Sequence, residues 1–132
     1  MKRRDFSALL VAGLLMPGLV GNAFAAGFAK YEADGFRKLL ASGAPVVVHV
    51  HADWCTVCRA QLPVMERVLK GAAYRNVRAI RVNFDRDKAF LADYKVVRQS
   101  TIVVFKAGKE VARLSYDTDP ARIEEVLEWA IS

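Results

Sequence analysis

The sequence predicts one α/β domain in which helices flank a central mixed sheet of four strands. Apolar, β-branched runs alternate with segments of helical periodicity along the chain, which is typical of this class. A two-residue turn, Ala107-Gly108, joins the last two strands and requires them to be antiparallel. With 132 residues, 54% of them hydrophobic, the chain can bury one substantial core but is too short for two ordinary domains.

The first half of the domain is predicted to run helix, strand, helix. Three apolar side chains at helical spacing place a helix over residues 31–42, before Gly43. The run VVVHV at 46–50 is apolar at every position but one, which indicates a strand covered on both faces. Residues 59–70 carry one apolar stripe and form the second helix.

The second half completes the order α-β-α-β-α-β-β-α. A looser alternation predicts a strand over 77–84, and a helical segment follows over 87–94. The runs TIVVF at 101–105 and EVARLS at 110–115 form the antiparallel hairpin. The final helix begins at Pro120, directly after an aspartate suited to the N-cap.

Residues 1–25 have the layout of a cleavable export signal. A basic cluster at positions 2–4 precedes an uncharged stretch at 6–20, and a small-x-small pattern ends at Ala25. Because the uncharged stretch is shorter than the roughly twenty residues that span a bilayer, we expect cleavage near Ala25 rather than anchoring. The letters KRRDF resemble the twin-arginine export signature. We therefore predict a periplasmic protein whose domain occupies residues 26–132.

The charge of the chain gives little support to a nucleic-acid partner. The formal net charge of +6 falls to +4 without the signal, because three basic residues and one acidic residue lie in it. The remaining basic side chains are interleaved with aspartates and apolar residues, so they form no continuous basic stripe. We expect a monomer that binds no nucleic acid.

The stretch HVHADWCTVC, residues 49–58, contains both cysteines and both histidines of the chain. A structural zinc site needs four ligands, and no second cysteine pair completes one. A purely structural disulfide between Cys55 and Cys58 would close too short a loop to stabilise the fold much. Redox exchange is one remaining interpretation. Copper binding or copper-site maturation is the other, with Cys55, Cys58 and His51 as candidate ligands.

The position of the cysteine pair favours redox chemistry. Cys55 follows the central strand at the start of a helix, where unpaired amides and the helix dipole stabilise a thiolate. We predict that Cys55 is the nucleophile that attacks a substrate disulfide. Cys58, one turn along, is then the resolving thiol that releases the substrate. The reaction uses only the redox-active Cys55–Cys58 disulfide, so no cofactor is expected.

Several motifs resemble the thioredoxin family. The letters WCTVC at 54–58 after an apolar strand are similar to its active site, Pro63 matches its helix proline, and FKAGKEV at 105–111 resembles its terminal hairpin. The likeness covers about residues 28–132 and implies a thioredoxin-like fold and thiol:disulfide oxidoreductase activity. ADWC followed by CR is especially similar to exported members. It implies that protein disulfides are reduced with electrons from a membrane thiol-reductant transporter.

The resemblance also implies roles for further residues. Trp54 would contact the partner protein, and Ser100 and Thr101 would lie in the substrate-binding loop. The family has a cis-proline where this sequence has Ser100, and a non-proline cis bond costs about 3 kcal/mol, so we expect a trans bond there. His49 replaces a buried acid, and its imidazole could accept a proton from Cys58. A core histidine hydrogen-bonded to the backbone is the alternative.

Overall fold

The computed structural model describes residues 27–132, and the predicted signal at 1–25 lies outside them. The described elements confirm the predicted succession of helices and strands and add one short strand at the start. In chain order they are β1 (Ala29–Lys30), α1 (Ala33–Ala41), β2 (Val46–His51), α2 (Thr56–Leu69), a 3₁₀ turn (Ala72–Tyr74), β3 (Arg78–Asn83), α3 (Lys88–Asp93), β4 (Thr101–Lys106), β5 (Lys109–Ser115) and α4 (Pro120–Glu128).

The sheet has five strands in the order β1-β3-β2-β4-β5. It is mixed, as predicted, because β2 pairs in parallel with β3 and antiparallel with β4, which in turn pairs antiparallel with β5. The predicted count of four strands is wrong by one, since Ala29–Lys30 pairs in parallel with β3 at the sheet edge. A strand of two residues shows no periodicity, which is why the sequence pattern missed it.

The central strand, β2, is buried at all six positions. Its valines at 46, 48 and 50 belong to the core beneath α1 and α3. Val47 belongs to the core beneath α2 and α4, and His49 and His51 share that face because side chains alternate along a strand. Two imidazoles are therefore enclosed between the sheet and α2.

The β4–β5 hairpin confirms the turn predicted at Ala107-Gly108. Both residues have positive φ values, 54° and 80°, as tight hairpin turns require. A Cβ at Gly108 would lie 3.2 Å from the backbone oxygen of Leu40, so the absence of a side chain also lets the turn pack against α1. Within residues 27–132, none of the helices combines the length and the apolar character required to cross a membrane.

Candidate active site

Cys55 is the N-cap of α2, which is the position predicted for the nucleophile. Its backbone is extended (φ −94°, ψ 110°), and its Sγ accepts a hydrogen bond from the backbone N–H of Cys58 at 3.0 Å. In most helices an oxygen accepts this bond. Here sulfur accepts it, and a thiolate would accept it more strongly at the positive end of the helix dipole.

Cys58 lies one turn along α2 and is fully buried. Both cysteines are in the reduced form. Burial, together with the hydrogen bond to Cys55, raises the pKa of the Cys58 thiol to about 12, although backbone hydrogen bonds from Ala52 and Ser100 act in the opposite direction. The Cys58 thiol is therefore neutral, and it would have to lose a proton before it could attack a disulfide.

Trp54 directly precedes Cys55 in the chain and is 58% exposed. Its indole Nε1 donates a hydrogen bond to Asp85 Oδ2 at 2.9 Å, and its ring meets the Phe84 ring edge-on, with 6.4 Å between centroids. These contacts hold the indole against the loop after β3 while most of it faces solvent. This arrangement is compatible with the predicted contact between Trp54 and a partner.

The hydrogen bonds of Gln61 determine which nitrogen of the buried His49 carries a proton. Gln61 Nε2 donates to the backbone oxygens of Ser100 at 3.1 Å and Asp117 at 2.9 Å. Its Oε1 can only accept, so His49 Nε2 donates to it at 2.9 Å. Burial is the main cause that lowers the pKa of His49 to about 4. The imidazole is thus neutral, with a lone pair on Nδ1.

His51 has a similar arrangement at the end of β2. Its Nε2 lies 3.3 Å from Asp53 Oδ1, and because a carboxylate accepts hydrogen bonds, Nε2 carries the proton. Burial lowers the pKa of His51, and the nearby Arg81 guanidinium lowers it further. His51 therefore also has its lone pair on Nδ1.

His49, His51 and Cys58 form one buried cluster. A ring nitrogen of His49, a ring nitrogen of His51 and the Cys58 Sγ all lie within 4.8 Å of one another. Among the described residues, the buried side-chain atoms without a hydrogen-bond partner are the Nδ1 atoms of these two histidines. The predicted copper ligands were Cys55, Cys58 and His51; the structure groups His49, rather than Cys55, with the other two.

Gln61 is a residue whose importance the sequence analysis missed. It is fully buried and shares the core-facing side of α2 with Cys58, Met65 and Leu69. Gln61 was overlooked because the apolar periodicity predicted that only hydrophobic residues occupy this side of α2. The available signal was a polar residue at core spacing, because a buried amide needs hydrogen-bond partners.

Ser100 joins the loop before β4 to the active site. No cis peptide bond occurs in residues 27–132, which confirms the trans bond expected before Ser100. Its φ of 63° lies in the left-handed region. The Ser100 N–H donates to the Val50 oxygen at 2.8 Å, and its carbonyl oxygen accepts from the Tyr116 N–H at 3.0 Å and from Gln61.

The side chains of Ser100 and Thr101 are buried and bonded within the protein. Ser100 Oγ donates to the Gln99 backbone oxygen, and Thr101 Oγ1 donates to the Arg98 backbone oxygen at 2.7 Å. These two predicted substrate-binding residues therefore lie beneath the loop surface. The outer surface is formed by exposed neighbours, including Val97, which is 88% exposed.

Comparison with known proteins identifies the family of the chain. A family model described as thioredoxin matches residues 27–128. The chain belongs to the thioredoxin family. The predicted thioredoxin-like fold is confirmed, and the predicted enzyme class, thiol:disulfide oxidoreductase, is that of the family.

Several thioredoxins and thioredoxin-like proteins are similar over most of their length. Among solved structures, Trxlp from Edwardsiella tarda is 38% identical, with a TM-score of 0.73 over 76% of this chain and 98% of that one. Fasciola hepatica thioredoxin is 30% identical, with a TM-score of 0.65 over 78% of this chain and 96% of that one. A thioredoxin-like protein from Synechocystis is 29% identical, over 75% of this chain and 94% of that protein.

Other thioredoxin-family relatives are matched over a smaller part of their length. The match to the probable thioredoxin-2 of Caenorhabditis elegans is 28% identical, over 72% of this chain and 65% of that protein. The match to a thioredoxin-like protein of Fusarium culmorum is 38% identical, over 60% of this chain and 66% of that protein. Both matches thus span just under two thirds of the relative.

We predict that burial of His49 destabilises the protein in acid. Folding lowers the pKa of His49 from 6.5 to about 4, because the ring is buried and Arg81 and His51 are nearby, although Gln61 partly offsets this. Between these pH values the unfolded chain binds a proton that the folded protein does not. The stability that neutral His49 contributes is fully present above pH 6.5. As the pH falls from 6.5 to 4, the free energy of unfolding decreases by about 3 kcal/mol.

Urea unfolding of the reduced protein at pH 7 and pH 4, with a chelator present, measures this loss. The His49→Gln variant is the control, because it keeps a polar side chain but cannot titrate. We expect the variant to lose about 3 kcal/mol less than the parent between the two pH values. An equal loss in both proteins would show that His49 is not responsible.

Proposed function

We propose that this protein is an exported thiol:disulfide oxidoreductase that reduces disulfides in other proteins. The observation that carries the proposal is the placement of Cys55 Sγ at the N-terminus of α2, 3.0 Å from the backbone nitrogen of Cys58. This placement directs a backbone N–H of the first turn of α2 at the attacking sulfur, at the helix end where the dipole favours an anion, and it keeps the resolving thiol one helical turn away.

The proposed reaction is two successive thiol–disulfide exchanges. The Cys55 thiolate attacks one sulfur of the substrate disulfide, so a mixed disulfide forms and one substrate thiolate leaves. Cys58 loses its proton and attacks Cys55 Sγ, which breaks the mixed disulfide and releases the second substrate thiolate. The substrate gains two electrons, and the protein ends with a Cys55–Cys58 disulfide.

We assign the role of proton acceptor in the second exchange to His49. Cys58 is fully buried, so bulk water does not reach its thiol directly. A ring nitrogen of His49 lies within 4.8 Å of Cys58 Sγ, and Gln61 holds the ring with Nδ1 unprotonated. A proton received at Nδ1 can pass to the departing substrate thiolate as the site reopens.

The proposed substrate surface consists of Trp54 and the exposed side of the loop before β4. Arg98 stacks on the Tyr116 ring, with 3.8 Å from its Cζ to the ring centroid, and the two are joined to the active site through Ser100. In this proposal Ser100 and Thr101 act from beneath, because their hydrogen bonds hold the loop in place. A peptide would lie across exposed apolar and cationic groups.

The location and electron source rest on the sequence. Residues 1–25 resemble an export signal, and a reductant in an oxidising compartment has to be re-reduced after every cycle. A membrane thiol-reductant transporter would supply those electrons. The dipeptide between the cysteines, Thr56-Val57, contains no histidine to stabilise the reduced form, which supports a reductant rather than a strong oxidant.

We predict opposite outcomes for the two cysteine substitutions. Cys55→Ser removes the nucleophile, so insulin reduction should fall to the uncatalysed rate and no adducts should form. Cys58→Ser leaves the nucleophile without a resolving thiol, so it should accumulate mixed disulfides with substrates, visible on non-reducing gels. Adducts on the Cys55→Ser protein would reverse the two roles.

We predict that His49→Leu slows release from a preformed mixed disulfide by at least tenfold, because general-base assistance contributes about 10² or more. His49→Asp should restore much of the rate, since a carboxylate can also accept the proton. Stopped-flow measurement of single turnovers separates this step from the first attack. The alkylation rate of Cys55 should stay the same in both variants. Equal release rates in parent and His49→Leu would remove His49 from the reaction.

We predict that the full chain is exported and processed. After expression in a bacterium with two membranes, mass spectrometry of the periplasmic fraction should find the chain starting at residue 26. Thiol trapping in intact cells should find Cys55 and Cys58 reduced, and oxidised when the membrane thiol transporter is deleted. Unprocessed protein in the cytoplasm would contradict the location, and an unchanged thiol state would contradict the electron source.

A further inference from the structure

The His49–His51–Cys58 cluster has features that disulfide exchange does not use. Exchange requires one proton acceptor near Cys58, yet two imidazoles share the site. His49 is 0% exposed and His51 is 7% exposed, and the Nδ1 of each lacks a hydrogen-bond partner. A buried polar atom without a partner is unfavourable, because it has given up its hydrogen bonds to water and gained none in the protein. Two such atoms in one cluster with a thiol indicate a binding site for a ligand that bonds to nitrogen and sulfur.

Hydrogen bonds already hold both imidazoles in a tautomer that can bind a metal ion, with the proton on Nε2 and a lone pair on Nδ1. His49 Nε2 donates to Gln61, whose amide is fixed by two backbone oxygens, and His51 Nε2 lies 3.3 Å from Asp53 Oδ1. In metal sites the second nitrogen of a histidine ligand is commonly bound in this way by an amide, a carboxylate or a carbonyl. Each Nδ1 is left unprotonated and available as a ligand.

The composition of the cluster selects the metal. One thiolate and two imidazoles form a three-ligand set that is typical of copper, whereas structural zinc takes four protein ligands. A monovalent ion bound to one thiolate and two neutral rings has zero net charge, which suits a buried position. A divalent ion in the same place would leave a buried positive charge.

We propose that the reduced protein binds one Cu(I) ion through His49 Nδ1, His51 Nδ1 and Cys58 Sγ. Binding forms three metal–ligand bonds and releases the Cys58 thiol proton, with no change in oxidation state. A ring nitrogen of each histidine and the Cys58 Sγ lie within 4.8 Å of one another, and ligands about 2.0–2.3 Å from a metal lie about 4 Å apart. Small side-chain rotations therefore close the site.

The same cysteine makes copper binding depend on redox state. When Cys58 is in a disulfide with Cys55, it has no thiolate to offer, so the oxidised protein should not bind the ion. His51 also lines a surface cavity of about 290 Å³, together with Asp53 and Arg81, which gives an ion a route to the cluster. Copper binding and disulfide exchange are thus alternative uses of Cys58.

Anaerobic Cu(I) titration against the coloured chelator bicinchoninate tests the proposal. We expect the reduced protein to take one ion and the oxidised protein to take none. His49→Ala and His51→Ala should each lower the affinity at least tenfold, and Cys58→Ser should lower it more. Cys55→Ser is the matched control, because it keeps all three proposed ligands and should stay within threefold of the parent.

Several results would overturn this assignment. If Cys55→Ser lost as much affinity as Cys58→Ser, the ligands would be the two cysteine sulfurs. X-ray absorption on the unaltered copper-loaded protein gives an independent answer that no folding defect can confuse: one sulfur and two nitrogens are expected, and two sulfurs would contradict the proposal. Since Cys55→Ser cannot reduce disulfides, copper binding by this variant also separates the proposal from the proposed reductase function.

Discussion

The buried amide of Gln61 connects three parts of the molecule that would otherwise be independent. Its two donors hold the backbone oxygens of Ser100 and Asp117, and its acceptor holds His49 Nε2. The loop before β4, the segment before α4 and the central strand thus share one side chain of α2. An amide is suited to this position because it has both donors and an acceptor and carries no charge into the core.

Burial then controls the state of the reacting groups. It raises the pKa of Cys58 and lowers the pKa of His49, so both groups are neutral when the site is at rest. A neutral thiol beside a neutral imidazole places no charge in the core, but the thiol can still give up its proton. It can pass a proton to the ring during disulfide exchange, or exchange that proton for a soft metal ion. The two proposed functions use the same buried lone pair.

The loop before β4 accommodates Ser100 at the position where the family resemblance predicts a proline. Ser100 keeps a trans bond and adopts a left-handed φ of 63°. Such a conformation costs about 1–2 kcal/mol for a residue with a Cβ. Hydrogen bonds to Val50, Tyr116 and Gln61 compensate for that cost and keep the loop against the active site.

The sequence by itself determined the order of the helices and strands, the antiparallel hairpin and the position of Cys55 at a helix N-terminus. These features depend on residues close together in the chain, where periodicity and capping act. Only the tertiary structure decided that Ala29–Lys30 is a strand, that Gln61 joins Ser100 and Asp117, and that His49 joins His51 and Cys58. Gln61 and Asp117 are 56 residues apart, and such contacts form only when the helices pack on the sheet.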